Sequence, residues 1–214
     1  RAFAGVSVAR TAIVAKHGSD PAIVEAQGKC YEQAREWQDL LPAPIRSLNL
    51  GGGFGIPYSP GETSLDASPV IDNLARLSDR LVGDFPGAHI VIELGRYLVG
   101  EAGIYVARVI DRKISRGQVF LVVDGGMHHH LAASGNFGQV IRRNYPVAVN
   151  GRRGERETAN VVGPLCTPLD LLADRMELDV AEPGDLVVVF QSGAYGHSAS
   201  PRAFLSHPEA VEAL

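Results

Sequence analysis

The alternation of helix and strand signals changes character once along this chain of 214 residues. That change constrains the fold more than any single motif does. From Asp20 to Leu41, apolar residues Ile23, Ala26, Cys30, Ala34, Trp37 and Leu41 recur at three- and four-residue spacing, which predicts a helix. Asp20 followed by Pro21 supplies a start signal. The short apolar run Ile45 to Leu50 reads as a buried strand ending in glycines. Ser68 to Val82 reads as a second helix, with Ser68 as its cap and Pro69 in its first turn. His89 to Leu94 is a second compact strand. Helix, strand, helix, strand is the rhythm of a parallel sheet with crossover helices. After Arg96 the helical spacing disappears. "GIYVARVIDRKI", "QVFLVVDGG", "YPVAVN", "TANVVG" and "GDLVVVF" are strand-like runs parted by turn residues, and "EPGD" at Glu182–Asp185 is a strong turn. The expected fold class is therefore an α/β part, residues 1–97, followed by a mainly β barrel or sandwich, residues 98–214, with the boundary near 96–103.

Composition narrows the function. The net charge is −4 and no block of like charge occurs, so the electrostatic footprint of a nucleic-acid binder is absent. No apolar run approaches the roughly 20 residues that a membrane-spanning helix needs. Two cysteines, Cys30 and Cys166, do not make a disulfide framework, and a reducing cytoplasm is the expected setting. The chain starts at Arg1, without a methionine or a signal-like leader, and is expected to begin inside a longer natural protein.

Several short stretches carry chemistry. "NLGGGFG", Asn49 to Gly55, exposes backbone N–H groups that can cradle a phosphate, although a tight turn explains such a run equally well. "IELGR", Glu93 to Arg96, again ends a strand in glycine, between a carboxylate and a guanidinium. Two such strand ends in succession match the phosphate-binding mouth formed by the last strands of a (β/α)8 barrel. "GPLCTPLD" sets Cys166 on a loop between prolines, and "SGAYGHSAS" sets Tyr195 and His197 among small residues. "VDGGMHHHLA" places three of the chain's seven histidines side by side. If that segment is extended, His128 and His130 share a face and His129 points away, so convergence on one metal ion is not expected and contact with substrate or an interface is preferred.

In this order and spacing, "LNLGGGFG", "IELGR", "VVDGGM", "GPLCTPLD" and "GAYGHSAS" resemble the fold-type III pyridoxal-phosphate decarboxylases, the family of diaminopimelate, ornithine and arginine decarboxylases. Finer details lean toward the exosortase-associated branch and toward enzymes acting on carrier-linked amino acids. The resemblance implies pyridoxal 5'-phosphate as cofactor, with Gly51, Gly52 and Gly53 at its phosphate and Gly95 and Arg96 continuing that site. It implies that Glu93 faces the pyridine nitrogen and keeps it protonated. Leu94 stands where the family has proline. Cys166 matches the cysteine that enters the partner subunit's active site and helps decide where the product is protonated, and Tyr195 matches a tyrosine near the cofactor phosphate. Shared sites imply a homodimer. Thr167 and His128 fall where the family meets its substrate. Decarboxylases of basic amino acids carry an acid after the cysteine; Thr167 cannot pair with an ammonium, so a substrate without a free distal ammonium is expected. Asp170 is expected to compensate only if the loop is reshaped.

The family's Schiff-base lysine has no counterpart. Of the three lysines, Lys16 lies too close to the glycine loop, Lys29 falls on a helix and Lys113 in the β part. A whole barrel takes roughly 200 residues or more. The chain is therefore expected to hold the last part of a barrel and a β domain, inactive alone. The alternatives are a non-catalytic cofactor-binding homologue and a metal-dependent β-barrel protein using the histidines.

Overall fold

The computed structural model describes residues 20–58, 62–137, 142–150 and 152–214. The chain divides into two compact units. Within the described residues the first holds 20–56 and 63–97, and the second holds 57–58, 62 and 98–214.

In the first unit, α1 (Asp20–Trp37) leads through a 3-10 turn to β1 (Ser47–Asn49), then α2 (Ser68–Asp84) crosses to β2 (His89–Val91). The two strands are parallel, with Leu48 opposite Ile90, as a crossover helix requires. Both are shorter than the apolar runs Ile45–Leu50 and His89–Leu94, because glycines follow the first and irregular backbone the second. Two bonds, from Leu50 N–H to Val91 O and from Glu93 N–H to Gly51 O, each at 2.9 Å, continue the pairing past the strand ends. The helix α1 stops at Trp37 rather than Leu41. Its buried stripe is Ile23, Gln27, Tyr31 and Ala34, rotated from the purely apolar stripe. Two polar groups explain the rotation. Gln27 accepts from the buried Asn73 amide of α2 at 2.9 Å, and the Tyr31 hydroxyl donates to Asp84 at 3.0 Å. Ser68 is not a cap: Ala67 holds the cap position without a side-chain bond, Pro follows in the first turn, and the Asp66 carboxylate accepts the Ser68 N–H at 3.0 Å.

The second unit is a nearly closed six-stranded barrel of β3 (Tyr105–Ser115), β4 (Gln118–Val123), β5 (Val147–Val149), β6 (Arg152–Val162), β7 (Leu171–Val180) and β8 (Leu186–Val189). The order is β5-β8-β3-β4-β6-β7. Neighbours are antiparallel except β4 and β6, which are parallel. The end strands β5 and β7 touch, and Asn144 clasps Asp174 through both its amide oxygen and nitrogen, at 2.9 and 2.8 Å. The core repeats with period two: Ala107 and Val109, Leu121 and Val123, Val147 and Val149, Ala159 and Val161, Val187 and Val189. Strand β7 was not signalled by the sequence. Register shifts interrupt its pairing with β6. Arg175 sits there in the left-handed region, at φ +45°, with its N–H on the buried Asn160 side chain at 3.0 Å. Such a bulge destroys the alternation by which a strand is read.

A short helix, α3 (Arg96–Val99), occupies the stretch where the chain passes from one unit to the other. Among the described residues no helix is long and apolar enough to cross a membrane.

Candidate functional site

The first unit brings its predicted residues together at the strand ends. Leaving β1, Gly51 and Gly53 turn through positive φ, +79° and +95°. Gly51 O accepts the Glu93 N–H at 2.9 Å, so the loop and the segment after β2 stay paired. Gly52 lies so close to Glu93 that an added Cβ would fall well inside contact distance of the Glu93 carbonyl oxygen. No residue with a side chain fits there unless the backbone moves. The Asn49 amide nitrogen donates to Glu93 Oε1 at 2.7 Å. Its amide oxygen accepts the Gly51 N–H at 2.8 Å. Asn49 thus fixes both the carboxylate and the loop. Sequence reading passed over it, although a polar residue ending an apolar strand beside three glycines is a signal. Gly95, at φ +41°, starts the turn that leads through Arg96 into α3.

In the second unit the triple histidine is the hub. Residues 127–129 form a turn rather than an extended strand, with the His129 and His130 N–H groups both pointing to Gly126 O at 2.9 and 3.1 Å. The three rings consequently take different partners. His130 is buried; its Nδ1 accepts the Ala133 N–H at 3.1 Å, so the ring proton is on Nε2, which donates to Ser192 Oγ at 2.9 Å. The Ser192 hydroxyl donates onward to Val189 O. Burial pushes the His130 pKa down to about 4, in keeping with a neutral ring. His129 Nε2 donates to Pro208 O at 2.7 Å, leaving Nδ1 for the Tyr105 hydroxyl at 3.1 Å. His128 is 1% exposed, and among the described residues neither ring nitrogen has a hydrogen-bond partner. Its ring lies tilted against that of His129, with centroids 3.9 Å apart, and approaches His207 at 5.2 Å. Burial, then the neighbouring His129 and His207, lower its pKa to about 4. Among the described residues no group of three or more His, Cys, Asp or Glu side chains is placed to hold a metal ion.

Two further loops are tied to this hub. Cys166 is exposed on the loop 163–170. The Thr167 hydroxyl on the same loop accepts the Leu169 N–H at 3.3 Å. Asp170 does not face a ligand: it is 3% exposed, and its carboxylate accepts the Met127 N–H at 2.6 Å and the Leu165 N–H at 2.8 Å. It is therefore not free to meet a substrate ammonium in place of an acid at 167. The third loop carries Tyr195 in the left-handed region at φ +64°, a conformation that costs a non-glycine residue of order 1 kcal/mol or more. Its ring lies 5.8 Å from Phe137. The Leu131 N–H donates to Ser200 Oγ at 2.8 Å, pinning this loop to the histidines. His197, singled out with Tyr195, bonds Arg202 at 3.0 Å instead.

Lys29 lies on α1 in an exposed pair with Glu25, and Lys113 is exposed on β3. Lys16 and the stretch Arg1 to Ser19 lie outside the described residues.

The glycine loop and Glu93 fit pyridoxal phosphate: Gly52 lets the loop close directly onto the Glu93 backbone, and Asn49 holds Oε1 of the carboxylate that would meet a ring N–H. Comparison with known proteins points the same way. A family model described as "Pyridoxal-dependent decarboxylase, C-terminal sheet domain" matches residues 13–193. The L-glutamyl-[BtrI acyl-carrier protein] decarboxylase of Niallia circulans is 41% identical over 90% of this chain and 46% of its own. The diaminopimelate decarboxylase of Bacillus subtilis is 33% identical over 82% of this chain and 40% of its own. The structure of a diaminopimelate decarboxylase variant from Helicobacter pylori, complexed with L-lysine, superposes with a TM-score of 0.72 at 26% identity, covering 89% of this chain and 44% of that one. The chain spans about half the length of the relatives it matches.

Proposed function

This chain belongs to the pyridoxal-dependent decarboxylase family, and we propose that it supplies the cofactor-ring carboxylate, part of the phosphate cradle and the active-site thiol of an amino acid decarboxylase. The observation that carries this reading is the Glu93 carboxylate, held by Asn49 beside a glycine loop that tolerates no side chain at Gly52. Pyridoxal phosphate, when bound, supplies an acceptor for the electron pair left behind as the carboxyl group departs as CO2. Glu93 holds a proton at the pyridine nitrogen. The backbone of Gly52 and Gly53, with Gly95 and Arg96, receives the phosphate. Gly51 shapes the loop, its N–H already being taken by Asn49. Tyr195 is the second unit's candidate for contact with the phosphate, and Cys166 Sγ governs proton delivery to the product. Thr167 borders the substrate, whereas His128, 1% exposed, would meet it only if the histidine turn opened. The lysine that binds the cofactor covalently comes from sequence outside this chain, and two copies share their sites in a homodimer. A cytoplasmic setting suits Cys30 and Cys166, both free thiols.

The substrate class follows from Thr167 and Asp170. With a hydroxyl after the cysteine and the nearby carboxylate consumed by two backbone N–H groups, nothing on this loop balances a distal ammonium. An amino acid joined through its other end to a carrier fits, as in the glutamyl-carrier decarboxylase relative. The test is CO2 release by the gene product carrying this chain, with pyridoxal phosphate, from glutamyl-carrier and from diaminopimelate. The expected result is turnover of the first at least about tenfold better than of the second, a difference of about 1.4 kcal/mol, with loss of both in Glu93→Ala. Preference for diaminopimelate would overturn the substrate class. Undiminished turnover in Glu93→Ala would overturn the cofactor role.

A further inference from the structure

Two glycines in separate motifs make room for one carboxylate. An added Cβ at Gly126, in "DGGM", would fall well inside contact distance of Asp170 Oδ1. One at Gly163, in "GPLC", would do the same to Asp170 Oδ2. Between them the carboxylate takes the N–H of Met127, 43 residues away in sequence, and that of Leu165, five away. Its own backbone closes the loop: Asp170 O accepts the Gly163 N–H at 3.0 Å and Asp170 N–H reaches Thr167 O at 3.2 Å. The segment holding Cys166 is thus wound around Asp170, and the histidine turn is anchored to the same group. The Gly163–Asp170 bond extends the β6–β7 pairing by one step, and beyond it the loop is held through the Asp170 carboxylate.

We infer that Asp170 is a positioning residue: its carboxylate sets the place of Cys166 by binding the thiol loop to the histidine turn, and Gly126 and Gly163 are required for that carboxylate to fit. The inference rests on reading Cys166 as the active-site thiol. A carboxylate suits the task because both of its oxygens accept, whereas an amide would turn a donor against one of two N–H groups. Burial raises the Asp170 pKa while the Met127 and Leu165 N–H groups oppose the rise. The group is costly to bury and is matched by two short bonds to backbone.

The first test is amide hydrogen exchange on the wild-type chain. The Met127 and Leu165 amides lie outside helices and strands, yet are expected to exchange slowly, as the barrel amides do. Exchange at open-loop rates would overturn the inference without any variant. Asp170→Asn, and independently Gly163→Ala, are then expected to speed those two amides, and to alter the rate and pH profile of Cys166 alkylation resolved by peptide mass spectrometry. The Leu121 and Val161 amides should stay protected. No change at Met127, Leu165 and Cys166 in the folded variants would overturn it. In the full gene product, Asp170→Asn is expected to lower kcat roughly 10- to 100-fold with KM nearly constant, and Cys166→Ala with Asp170→Asn should be no worse than Cys166→Ala alone. Full activity in Cys166→Ala removes the reading of the thiol on which this rests. Impaired Cys166→Ala beside unimpaired Asp170→Asn removes the positioning role alone.

Discussion

The two units build their chemistry in different ways. In the first, Asn49, the glycine loop and Glu93 sit where two parallel strands end, and the crossover that makes the strands neighbours also makes the residues neighbours. In the second, the thiol, tyrosine and histidine loops leave different strands and are joined by side chains: Asp170 to Met127, His130 to Ser192, and Ser200 to Leu131, bridging 43, 62 and 69 residues. The first arrangement follows from topology. The second needs each polar group to find a distant partner, and an error in one loop is transmitted to the others.

The largest expected effect falls on the second unit. Leu121 is fully buried at the centre of the barrel, and Leu121→Ala should cost about 2–5 kcal/mol in a urea titration. That loss should loosen all three loops, seen as faster exchange at the Met127, Leu131 and Ala133 amides. Unchanged exchange there would mean that the loops stand independently of the barrel.

A pH titration sharpens the contrast. His128 and His130 are buried and neutral, with pKa values near 4 in the fold against an ordinary 6.5. Between those values the unfolded chain binds more protons than the native one, so stability is complete above about pH 6.5 and is lost as the pH falls toward 4. His130 alone accounts for up to about 3 kcal/mol. A variant lacking His130 should show a shallower decline over that window. An unchanged slope would mean that the ring is not held neutral.

Asn49→Ala probes the first unit. It removes two hydrogen bonds, one on Glu93 and one on Gly51, and should weaken binding of pyridoxal phosphate by about 1–2 kcal/mol, measured by fluorescence titration. Unaltered affinity would show that the carboxylate orients itself. At the smallest end, Lys29→Ala removes an exposed pair on α1 and should change neither the urea midpoint nor cofactor binding.

This contrast also decides how much could be read from sequence. The crossover unit, the period-two strands and the order of the motifs were legible because each is a local pattern. The β7 strand was hidden by the bulge at Arg175, which breaks the alternation. The alternation of the histidine faces holds only for an extended segment; instead a turn forms, as Asp124-Gly125-Gly126 allows, with the His129 and His130 N–H groups closing on Gly126 O. Asp170 was visible as a carboxylate beside a thiol, but its occupation by Met127 depends on a contact between distant loops, which no periodicity encodes. Asn49 was overlooked because its partner Glu93 lies 44 residues on, beyond a whole helix.

The central claim is that the glycine loop at Gly52, closed over Glu93, is a pyridoxal-phosphate cradle. The most direct measurement is a 31P NMR titration of pyridoxal phosphate with this chain and with its Gly52→Ala variant. The account predicts that the wild type broadens and shifts the phosphate resonance and that Gly52→Ala, whose added methyl meets the Glu93 carbonyl, does not. Equal broadening by the two proteins, or none by the wild type, would contradict it.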